Sequence, residues 1–345
     1  MKALVLEEIG KISFQNMDVY ENMGPNDVRI RMKRVGICGS DVHFYEFGRI
    51  GPFVVQSPMI LGHEGSGEVI AVGENVSNLR IGDRVCMEPG IPNPLSRANR
   101  LGIYNLDPEL TFWATPPIHG CMCTEVVHPA SLTYRVPDNI TFEEAAMVEP
   151  LAIGMHASMK AEIKPGDKAL VYGAGTIGVM TALAALAGGC STVIVADIRK
   201  EKLRLLDGIP GCITCDVSSS DLASLVSNIT EGWGVNLVFE ASGSEAVARE
   251  LFNHACPGGH VVYIGMPSGL VPIDITIAQT KEIRIDTIFR YANVYDRSLA
   301  LLGSNKIDLK PFITDEYPFS KGIEAFNYAR TPKPSSVKIM INMDG

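Results

Sequence analysis

Four side chains in the first half of the chain could together bind a metal ion. They are a thiol, an imidazole and two carboxylates, namely Cys38, His63, Glu64 and Glu149. A thiolate, an imidazole and one or two carboxylates form an open site that suits Zn²⁺ and leaves a position for water or a substrate oxygen. Each residue alone has an ordinary structural explanation, because a lone buried Cys packs as a small hydrophobe and a His beside Gly often lies in a turn. The segments around these residues decide between a structural role and a catalytic metal site.

A glycine-rich turn near the middle of the chain has the pattern of a dinucleotide-binding loop. Gly173, Gly175 and Gly178 form G-x-G-x-x-G after a segment that predicts a strand and before one that predicts a helix. In that context the glycines permit a tight turn, a close approach to a pyrophosphate and close packing of helix on strand. Thr176 and Ile177 begin the helix, whose free N–H groups can bind phosphate.

Asp197 ends the next predicted strand, at the distance expected for a carboxylate that binds the adenosine ribose. It can accept hydrogen bonds from both ribose hydroxyls and would repel a 2′-phosphate, which favours NAD over NADP. Arg199 and Lys202 lie nearby in the chain, and their positive charges would favour the 2′-phosphate of NADP. Lys202 is counted among the cofactor-binding residues. The alternative explanation is a glycine-rich turn in an ordinary α/β domain, which the combination of strand, helix and acid disfavours.

Two patterns divide the chain and predict how these residues are positioned. Residues 1–150 contain short β-like segments separated by Gly and Pro, such as Val28–Met32 and Gly67–Val72. After about residue 165, strands alternate with helix-length apolar segments, which predicts a parallel doubly wound sheet. The predicted strands of this part are 168–172, 192–196, 235–240 and 260–264, and the predicted helices are 176–186 and stretches near 219–228 and 244–255. The strand-like segment 336–341 does not continue this alternation and could return to the first domain.

The composition disfavours several functional classes. With 345 residues, 46% apolar and 20% charged, the chain is long enough for two globular domains. A net charge of −9 disfavours nucleic acid and anionic membranes as partners. Met1–Leu6 is too short for a signal peptide, and the apolar segment Ile177–Ala187 is too short to span a bilayer. Eight scattered cysteines are typical of reduced thiols and favour a cytoplasmic location.

The segments around these residues resemble the zinc-dependent medium-chain dehydrogenases, and most closely their polyol branch. The matches occur in order along essentially the whole chain: Gly36–His43, Gly48–Gly51, Leu61–Glu64, Gly82–Val85, Ala114–Pro117, Val136–Asn139, Val148–Leu151 and Phe289–Tyr291. The resemblance implies an α/β protein with a GroES-like, mostly-β catalytic domain, residues 1–152 and 290–345, and a Rossmann NAD-binding domain, residues 153–289. It also implies a homo-oligomer, with a tetramer favoured.

The resemblance assigns roles to individual residues. Cys38, His63 and Glu64 would bind the catalytic zinc, while Glu149 would ligate the metal or hold its water. Ser40 and His43 match the family's proton-relay neighbourhood. The residues that match the substrate cleft are Phe44, Phe112, Thr115, Arg290 and Tyr291, and those that match the nicotinamide side are Gly265, Met266, Phe289 and Arg290. Phe44 stands where the family usually carries Tyr, so a hydroxyl that could bond the polyol is missing.

A second zinc site of the family is lost in this chain. Asn93, Ser96, Asn99 and Asp107 occupy positions where the family carries four thiolates. Amide, hydroxyl and carboxylate groups cannot replace four sulfur ligands around Zn²⁺. We therefore expect one catalytic zinc per subunit and no structural zinc, with residues 90–110 either compactly repacked or mobile.

The activity implied is NAD-dependent oxidation of a polyol secondary alcohol to a ketose. Xylitol to D-xylulose is the first expectation, and sorbitol to fructose is the second. One alternative is a zinc alcohol dehydrogenase of the same fold that acts on threonine, butanediol or a simple alcohol. Another is a zinc-free quinone reductase or crystallin-like relative, against which Cys38, His63, Glu64 and Asp197 argue.

Overall fold

The structure is a computed structural model that describes residues 1–267 and 269–344. The chain forms two compact units, Met1–Glu149 with Tyr295–Gly345, and Pro150–Val294. Within the described residues, no helix is both long and apolar enough to cross a membrane.

A seven-stranded, mostly antiparallel sheet organises the first unit. Its central strand, Asp27–Ile37, pairs with Glu64–Val72, Glu125–Pro129 and Lys338–Asn342. The remaining strands of this sheet are Arg84–Met87, Thr133–Arg135 and Ile313–Pro318. The segment expected near 336–341 thus forms a strand of the first unit. Its apolar side chains join a buried core that includes Val35, Leu61 and Phe326.

Smaller elements complete the first unit. A second sheet contains Lys2–Glu8, Lys11–Asn16 and Met59–Ile60, and two-residue strand pairs join Arg49–Ile50 to Phe53–Val54 and Gly90–Ile91 to Thr111–Phe112. The α-helices are Gly39–Phe47, Arg97–Arg100, Phe142–Ala146, Tyr295–Gly303 and Gly322–Arg330, and helix Val148–Lys160 begins here and continues into the second unit. The 3₁₀ turns are Tyr104–Leu106, Ala130–Leu132, Lys310–Phe312 and Phe319–Lys321.

The second unit is built on a six-stranded parallel sheet. Its strands, in spatial order, are Cys212–Asp216, Thr192–Asp197, Lys168–Tyr172, Val235–Glu240, Ala255–Tyr263 and Arg284–Thr287. Their apolar side chains are buried, as expected for a parallel sheet covered on both faces. The helices are Thr176–Gly188, Lys200–Leu203, Leu222–Thr230, Glu245–Ala248, Leu251–His254 and Ile275–Thr280, with a 3₁₀ turn at Arg204–Leu206.

The predicted doubly wound sheet is confirmed, with differences at element ends. Strands 168–172 and 235–240 have the predicted bounds, and the helix after the glycine-rich turn runs to Gly188, where Gly189 at φ +123° ends it. The single helical stretch expected near 244–255 is instead two short helices. The strand that follows these two helices begins at Ala255 and not at the predicted residue 260. Ala255 pairs with Val235 and His260 with Leu237, so residues 256–259, which include Pro257, bulge out of the ladder.

Candidate active site

The pairing of two antiparallel strands brings Cys38, His63 and Glu64 together. Gly36 of strand Asp27–Ile37 is paired with Glu64, the first residue of strand Glu64–Val72. Cys38 follows the end of the first strand and His63 precedes the start of the second, so the pairing places these two residues side by side. One sulfur, one ring nitrogen and one carboxylate oxygen from these three residues all lie within 4.8 Å of one another. A Cβ on Gly36 would collide with the Glu64 carboxylate, so a larger residue at this position would displace that carboxylate from the cluster.

Asp41 ties the two segments of the cluster to each other. Its Oδ2 accepts a hydrogen bond from the Cys38 amide at 3.0 Å, and its Oδ1 accepts one from the Gly62 amide at 3.0 Å. Burial alone would raise the pKa of Asp41, but the His63 ring and these amides outweigh it and lower the pKa. The fully buried carboxylate is thus held ionised beside His63, in the manner of outer residues that orient metal ligands.

His63 is buried beside two acidic groups. Its Nδ1 lies 3.6 Å from Asp41 Oδ1, too far for a hydrogen bond, and has no hydrogen-bond partner within the described residues. Burial lowers the pKa of His63, but Asp41 and Cys38 outweigh burial and raise it well above its ordinary value. The Phe112 ring, expected in the substrate cleft, lies 5.7 Å from the His63 ring.

Lys338 compensates the negative charge of Glu64 in this cluster. Its Nζ donates to both Glu64 carboxylate oxygens at 2.6 Å and to the Ile37 carbonyl at 3.2 Å. Burial lowers the pKa of Lys338, but the charges of Glu64 and Cys38 outweigh burial and raise it. The ammonium therefore stays charged although the side chain is almost fully buried.

Glu149 lies close to this group without joining it. Its side chain is buried in the first turn of helix Val148–Lys160, and its charge acts on Lys338. It is not among the residues whose ligand atoms meet within 4.8 Å. Direct ligation by Glu149 therefore stays a prediction, as does a role through water.

The donor set fits a zinc ion. A soft sulfur, an imidazole nitrogen and a carboxylate oxygen suit Zn²⁺, and three protein ligands are typical of catalytic sites. A buried ring nitrogen without a hydrogen bond, at His63, and a carboxylate that is already positioned, at Glu64, are what a metal site requires.

Helix Gly39–Phe47 positions the predicted proton relay. Ser40 and His43 are three residues apart and thus share one side of the helix. His43 is exposed, and its Nδ1 lies 2.8 Å from the Arg49 carbonyl oxygen. Phe44 is buried in the core of the first unit. Thr115 is half-buried and follows Phe112 along the chain.

The other predicted substrate residues belong to the second unit. Arg290 has φ +55°, an unusual backbone conformation for a residue with a side chain, and its guanidinium lies 4.8 Å from the centre of the Phe289 ring. Tyr291 is buried. Gly265 lies where a Cβ would strike Gly243 and Glu240, while Met266 is exposed.

The glycine-rich turn has the geometry expected of a dinucleotide loop. Gly173 has φ +100°, and helix Thr176–Gly188 begins just after Gly175. A Cβ on Gly178 would collide with the Gly173 carbonyl oxygen. Asp197 Oδ2 accepts a hydrogen bond from the Ala174 amide at 2.6 Å, so the carboxylate is oriented by the turn itself.

Asp197 is also held from its other side. Its Oδ1 accepts a hydrogen bond from the Arg199 amide at 2.7 Å. Lys202 lies in the next short helix, Lys200–Leu203, and is half-buried. The carboxylate thus ends its strand in a defined orientation, with two basic residues close by in the chain.

Hydrogen bonds connect the four residues that replace the cysteines of the second zinc site. Asp107 accepts from the amides of Asn93 at 2.8 Å and Glu109 at 3.0 Å. Ser96 caps helix Arg97–Arg100 by accepting from the Asn99 amide at 3.0 Å. Hydrogen bonds of a turn and a helix cap thus hold this segment, while Leu95 and Leu101 stay 73% and 62% exposed.

Sequence reasoning did not single out Asp41 or Lys338. Asp41 lies inside the matched segment Gly36–His43, and an acid three residues after Cys38 has the spacing of a helix cap. Lys338 is 274 residues from Glu64 and offered a weaker signal, a single lysine at the start of a strand whose next three residues are apolar.

Comparisons with known proteins agree with this architecture. The family model described as "Alcohol dehydrogenase GroES-like domain" matches residues 24–138, and the one described as "Zinc-binding dehydrogenase" matches residues 176–304. A solved oxidoreductase/dehydrogenase of unknown specificity from Escherichia coli superposes with a TM-score of 0.94 at 33% identity, covering 99% of this chain and 98% of that chain. The chain therefore belongs to the zinc-dependent medium-chain dehydrogenase family and combines a GroES-like domain with a Rossmann domain.

Sequence relatives narrow this class. A D-xylulose reductase of Morganella morganii is 52% identical over 335 residues, which cover 96% of this chain and 98% of the relative. A sorbitol dehydrogenase of Rattus norvegicus is 38% identical over 345 residues, covering 99% of this chain and 96% of the relative. Within the family, the chain lies in the polyol branch and is a dehydrogenase enzyme.

Proposed function

We propose that this protein is a zinc- and NAD-dependent polyol dehydrogenase whose reaction is the oxidation of xylitol to D-xylulose, with the oxidation of sorbitol to fructose as the second candidate. The observation that carries the proposal is the cluster of Cys38, His63 and Glu64, whose ligand atoms lie within 4.8 Å of one another. The choice of a pentitol follows the relatives, because the D-xylulose reductase is more similar to this chain than the sorbitol dehydrogenase is.

Cys38, His63 and Glu64 would hold one zinc ion per subunit. When bound, that ion would supply Lewis acidity that lowers the pKa of the substrate hydroxyl. Asp41 fixes the orientation of the cysteine and histidine segments, and Lys338 compensates the negative charge of Glu64. Glu149 would complete the acidic lining of the site, either as a ligand or through a water molecule.

The reaction takes a hydride from the carbinol carbon and a proton from the hydroxyl oxygen. Bound NAD⁺ would supply the hydride acceptor, and the protein would supply orientation and proton transfer. Ser40 would receive the proton, and His43, on the same side of the helix and exposed to solvent, would pass it on. Five residues would line the substrate cleft: Phe44, Phe112, Thr115, Arg290 and Tyr291.

The cofactor would bind along the glycine-rich turn of the second unit. Gly173, Gly175, Thr176, Ile177 and Gly178 would contact the pyrophosphate. Asp197 would bind the ribose and Lys202 would lie beside it, while Gly265, Met266, Phe289 and Arg290 would line the nicotinamide side. NAD is favoured over NADP because the Asp197 carboxylate is fixed by two amides and would repel a 2′-phosphate.

A substrate screen tests the proposal directly. NAD⁺ reduction is measured with pentitols and hexitols, and with threonine, 2,3-butanediol and ethanol as competing substrates, before and after treatment with a zinc chelator. We expect the highest kcat/KM with xylitol and loss of activity on chelation. Higher kcat/KM with threonine or butanediol, or full activity in protein that elemental analysis finds free of zinc, would overturn the proposal.

Three further expectations complete the proposal. The functional domains would comprise residues 1–152 with 290–345, and residues 153–289. The protein would act as a homotetramer, which sedimentation velocity tests. It would work in the cytoplasm, where its eight free cysteines suit a reducing compartment.

A further inference from the structure

A cavity of about 480 Å³ opens in the second unit where strands Lys168–Tyr172 and Thr192–Asp197 end. Gly173 and Asp197 line it, and these are the residues expected to contact the pyrophosphate and the ribose of the cofactor. Tyr172 lines the same cavity. In parallel α/β sheets, nucleotides bind in the crevice at the carboxyl ends of the strands. The adenine base is attached to the ribose expected at Asp197, so it is the part of NAD that would enter this cavity.

Two apolar side chains that line this cavity are exposed to solvent. Ile198 is 65% exposed and Val217 is 37% exposed, and both belong to its lining. Large apolar side chains exposed in a cleft mark a surface that a ligand covers. A flat aromatic base resting on these residues would remove them from water, but apolar contact alone does not distinguish one base from another.

Some of the polar side chains that line the cavity are committed to hydrogen bonds within the protein. Asp221 caps helix Leu222–Thr230 and accepts from the amides of Ala223 and Ser224. The Ser242 hydroxyl donates to Glu240 at 2.5 Å. These contacts hold part of the cavity wall and occupy the side chains of Asp221 and Ser242.

Among the described residues that line the cavity, only Tyr172 has a buried side-chain polar atom without a hydrogen-bond partner. Its side chain is only 5% exposed, and its hydroxyl has no hydrogen-bond partner anywhere in residues 1–267 and 269–344. A buried hydroxyl without a partner is costly, and such groups in folded proteins call for a ligand or another specific reason. Burial, and after it the charge of Glu250, raises the pKa of Tyr172, so the hydroxyl is protonated at neutral pH and can donate.

We propose that the Tyr172 hydroxyl recognises the adenine base of the cofactor by donating a hydrogen bond to N1 or N7, the ring nitrogens on either side of the amino-bearing carbon. The inference rests on the proposed dinucleotide dependence and adds a residue that identifies the base. Adenine offers acceptor nitrogens at both positions. Guanine carries a hydrogen on N1, so a buried donor satisfied at N1 would exclude guanine, while one satisfied at N7 would select purines over pyrimidines.

Tyr172→Phe removes the hydroxyl and keeps the ring. Binding of ADP-ribose, which lacks the nicotinamide, is measured by isothermal titration calorimetry on the zinc-containing protein. We expect the affinity to fall about threefold to tenfold, the effect of losing one hydrogen bond. Tyr263→Phe is the matched control, because the Tyr263 hydroxyl also lacks a partner within the described residues but does not line this cavity. Its affinity for ADP-ribose should equal that of the unaltered protein.

Thermal unfolding without ligand separates recognition from a structural role. Removing an unsatisfied buried hydroxyl should leave the melting temperature of Tyr172→Phe unchanged or raise it, while ADP-ribose binding weakens. A lowered melting temperature together with weaker binding would indicate a structural role and overturn the inference.

Base analogues identify the atom that the hydroxyl contacts. AMP, 1-deaza-AMP and 7-deaza-AMP are compared on the unaltered protein and on Tyr172→Phe. One deaza compound should bind more weakly than AMP to the unaltered protein and equally to the variant. Equal binding of all three compounds by the unaltered protein would overturn the inference about Tyr172 but not the proposed cofactor. If the unaltered protein bound neither ADP-ribose nor NAD⁺, the proposed cofactor itself would be wrong.

Discussion

Lys338 and Glu64 form a buried ion pair in which the lysine Nζ lies 2.6 Å from each carboxylate oxygen. The two side chains are 2% and 1% exposed. Glu64 also contributes to the cluster with Cys38 and His63, so one carboxylate serves both the lysine and the proposed metal. A thiolate and a carboxylate around one divalent ion would be neutral, and the charges of Lys338 and Glu149 would balance each other beside them. The ionised Asp41 adds one further negative charge next to His63.

Lys338→Met should destabilise the metal-free protein strongly. The Glu64 carboxylate would remain buried without its counter-charge, and breaking such a pair typically costs about 3–5 kcal/mol. Zinc would give Glu64 a new partner, so saturation with zinc should restore more stability in the variant than in the unaltered protein. Urea unfolding with a chelator and with added zinc measures both effects.

Lys333→Met provides the matched control for that experiment. Lys333 Nζ lies 2.7 Å from Asp315 Oδ1, an ion pair of similar length, but the lysine is 48% exposed. Exposed pairs contribute less than about 1 kcal/mol. Equal losses of stability in the two variants would contradict the importance of burial at Lys338.

Local patterns in the sequence were sufficient to predict the Rossmann part. Gly173, Gly175, Gly178 and Asp197 lie within 25 residues of one another on one strand–turn–helix–strand unit, so their arrangement follows from the sequence itself. The cluster of Cys38, His63 and Glu64 was predictable only as a set of residues, because its geometry depends on the pairing of two strands.

Residues that act through long-range contacts were not predictable in the same way. The partner of Lys338 is 274 residues away, and its strand joins the sheet beside Asp27–Ile37 only in the folded protein. Nothing in the sequence around Tyr172 indicates an unsatisfied hydroxyl either, since satisfaction of a buried group depends on every neighbour in three dimensions.

Glu88→Gln should make stability less dependent on pH. Burial raises the pKa of Glu88 to about 7, despite hydrogen bonds from the Tyr104 and Tyr134 hydroxyls that lower it, and the nearby Asp296 raises it further. The native state therefore binds this proton more tightly than the unfolded state, whose ordinary value is 4.5. The contribution of Glu88 to stability is thus lost as the pH rises from about 4.5 through 7, by roughly 3 kcal/mol.

Urea unfolding between pH 5 and pH 8.5 measures the Glu88 effect. Glutamine cannot ionise, so Glu88→Gln should gain stability relative to the unaltered protein as the pH rises, and the difference should level off above about pH 7. Glu245→Gln, at a residue whose side chain is 59% exposed, should follow the unaltered protein at every pH. Parallel curves for Glu88→Gln and the unaltered protein would show that Glu88 does not titrate in this range.

Restoring four cysteines should recreate the missing zinc site. The variant carries Asn93→Cys, Ser96→Cys, Asn99→Cys and Asp107→Cys. Elemental analysis should find two zinc ions per chain instead of one, and the melting temperature should exceed that of the unaltered protein, because a structural zinc contributes folding free energy.

Chelation should reverse the gain of the cysteine variant. Without zinc it should melt below the unaltered protein, since the helix cap of Ser96 and the amide contacts of Asp107 are lost. A variant that keeps Asp107 and carries the other three changes serves as the control. Binding of a second zinc without any rise in melting temperature would show that the present hydrogen-bonded segment is already as stable as a metal-bound one.

Asp197→Asn should shift the cofactor preference toward NADP. Asparagine keeps an oxygen that can accept from the Ala174 or Arg199 amide but removes the charge that would repel a 2′-phosphate. The ratio of kcat/KM for NADP⁺ to that for NAD⁺ should rise about tenfold to hundredfold, because placing like charges together costs several kcal/mol. Adding Lys202→Met to this variant should remove part of the gain, since Lys202 would then no longer attract the phosphate. An unchanged ratio in Asp197→Asn would mean that features other than this carboxylate select the cofactor.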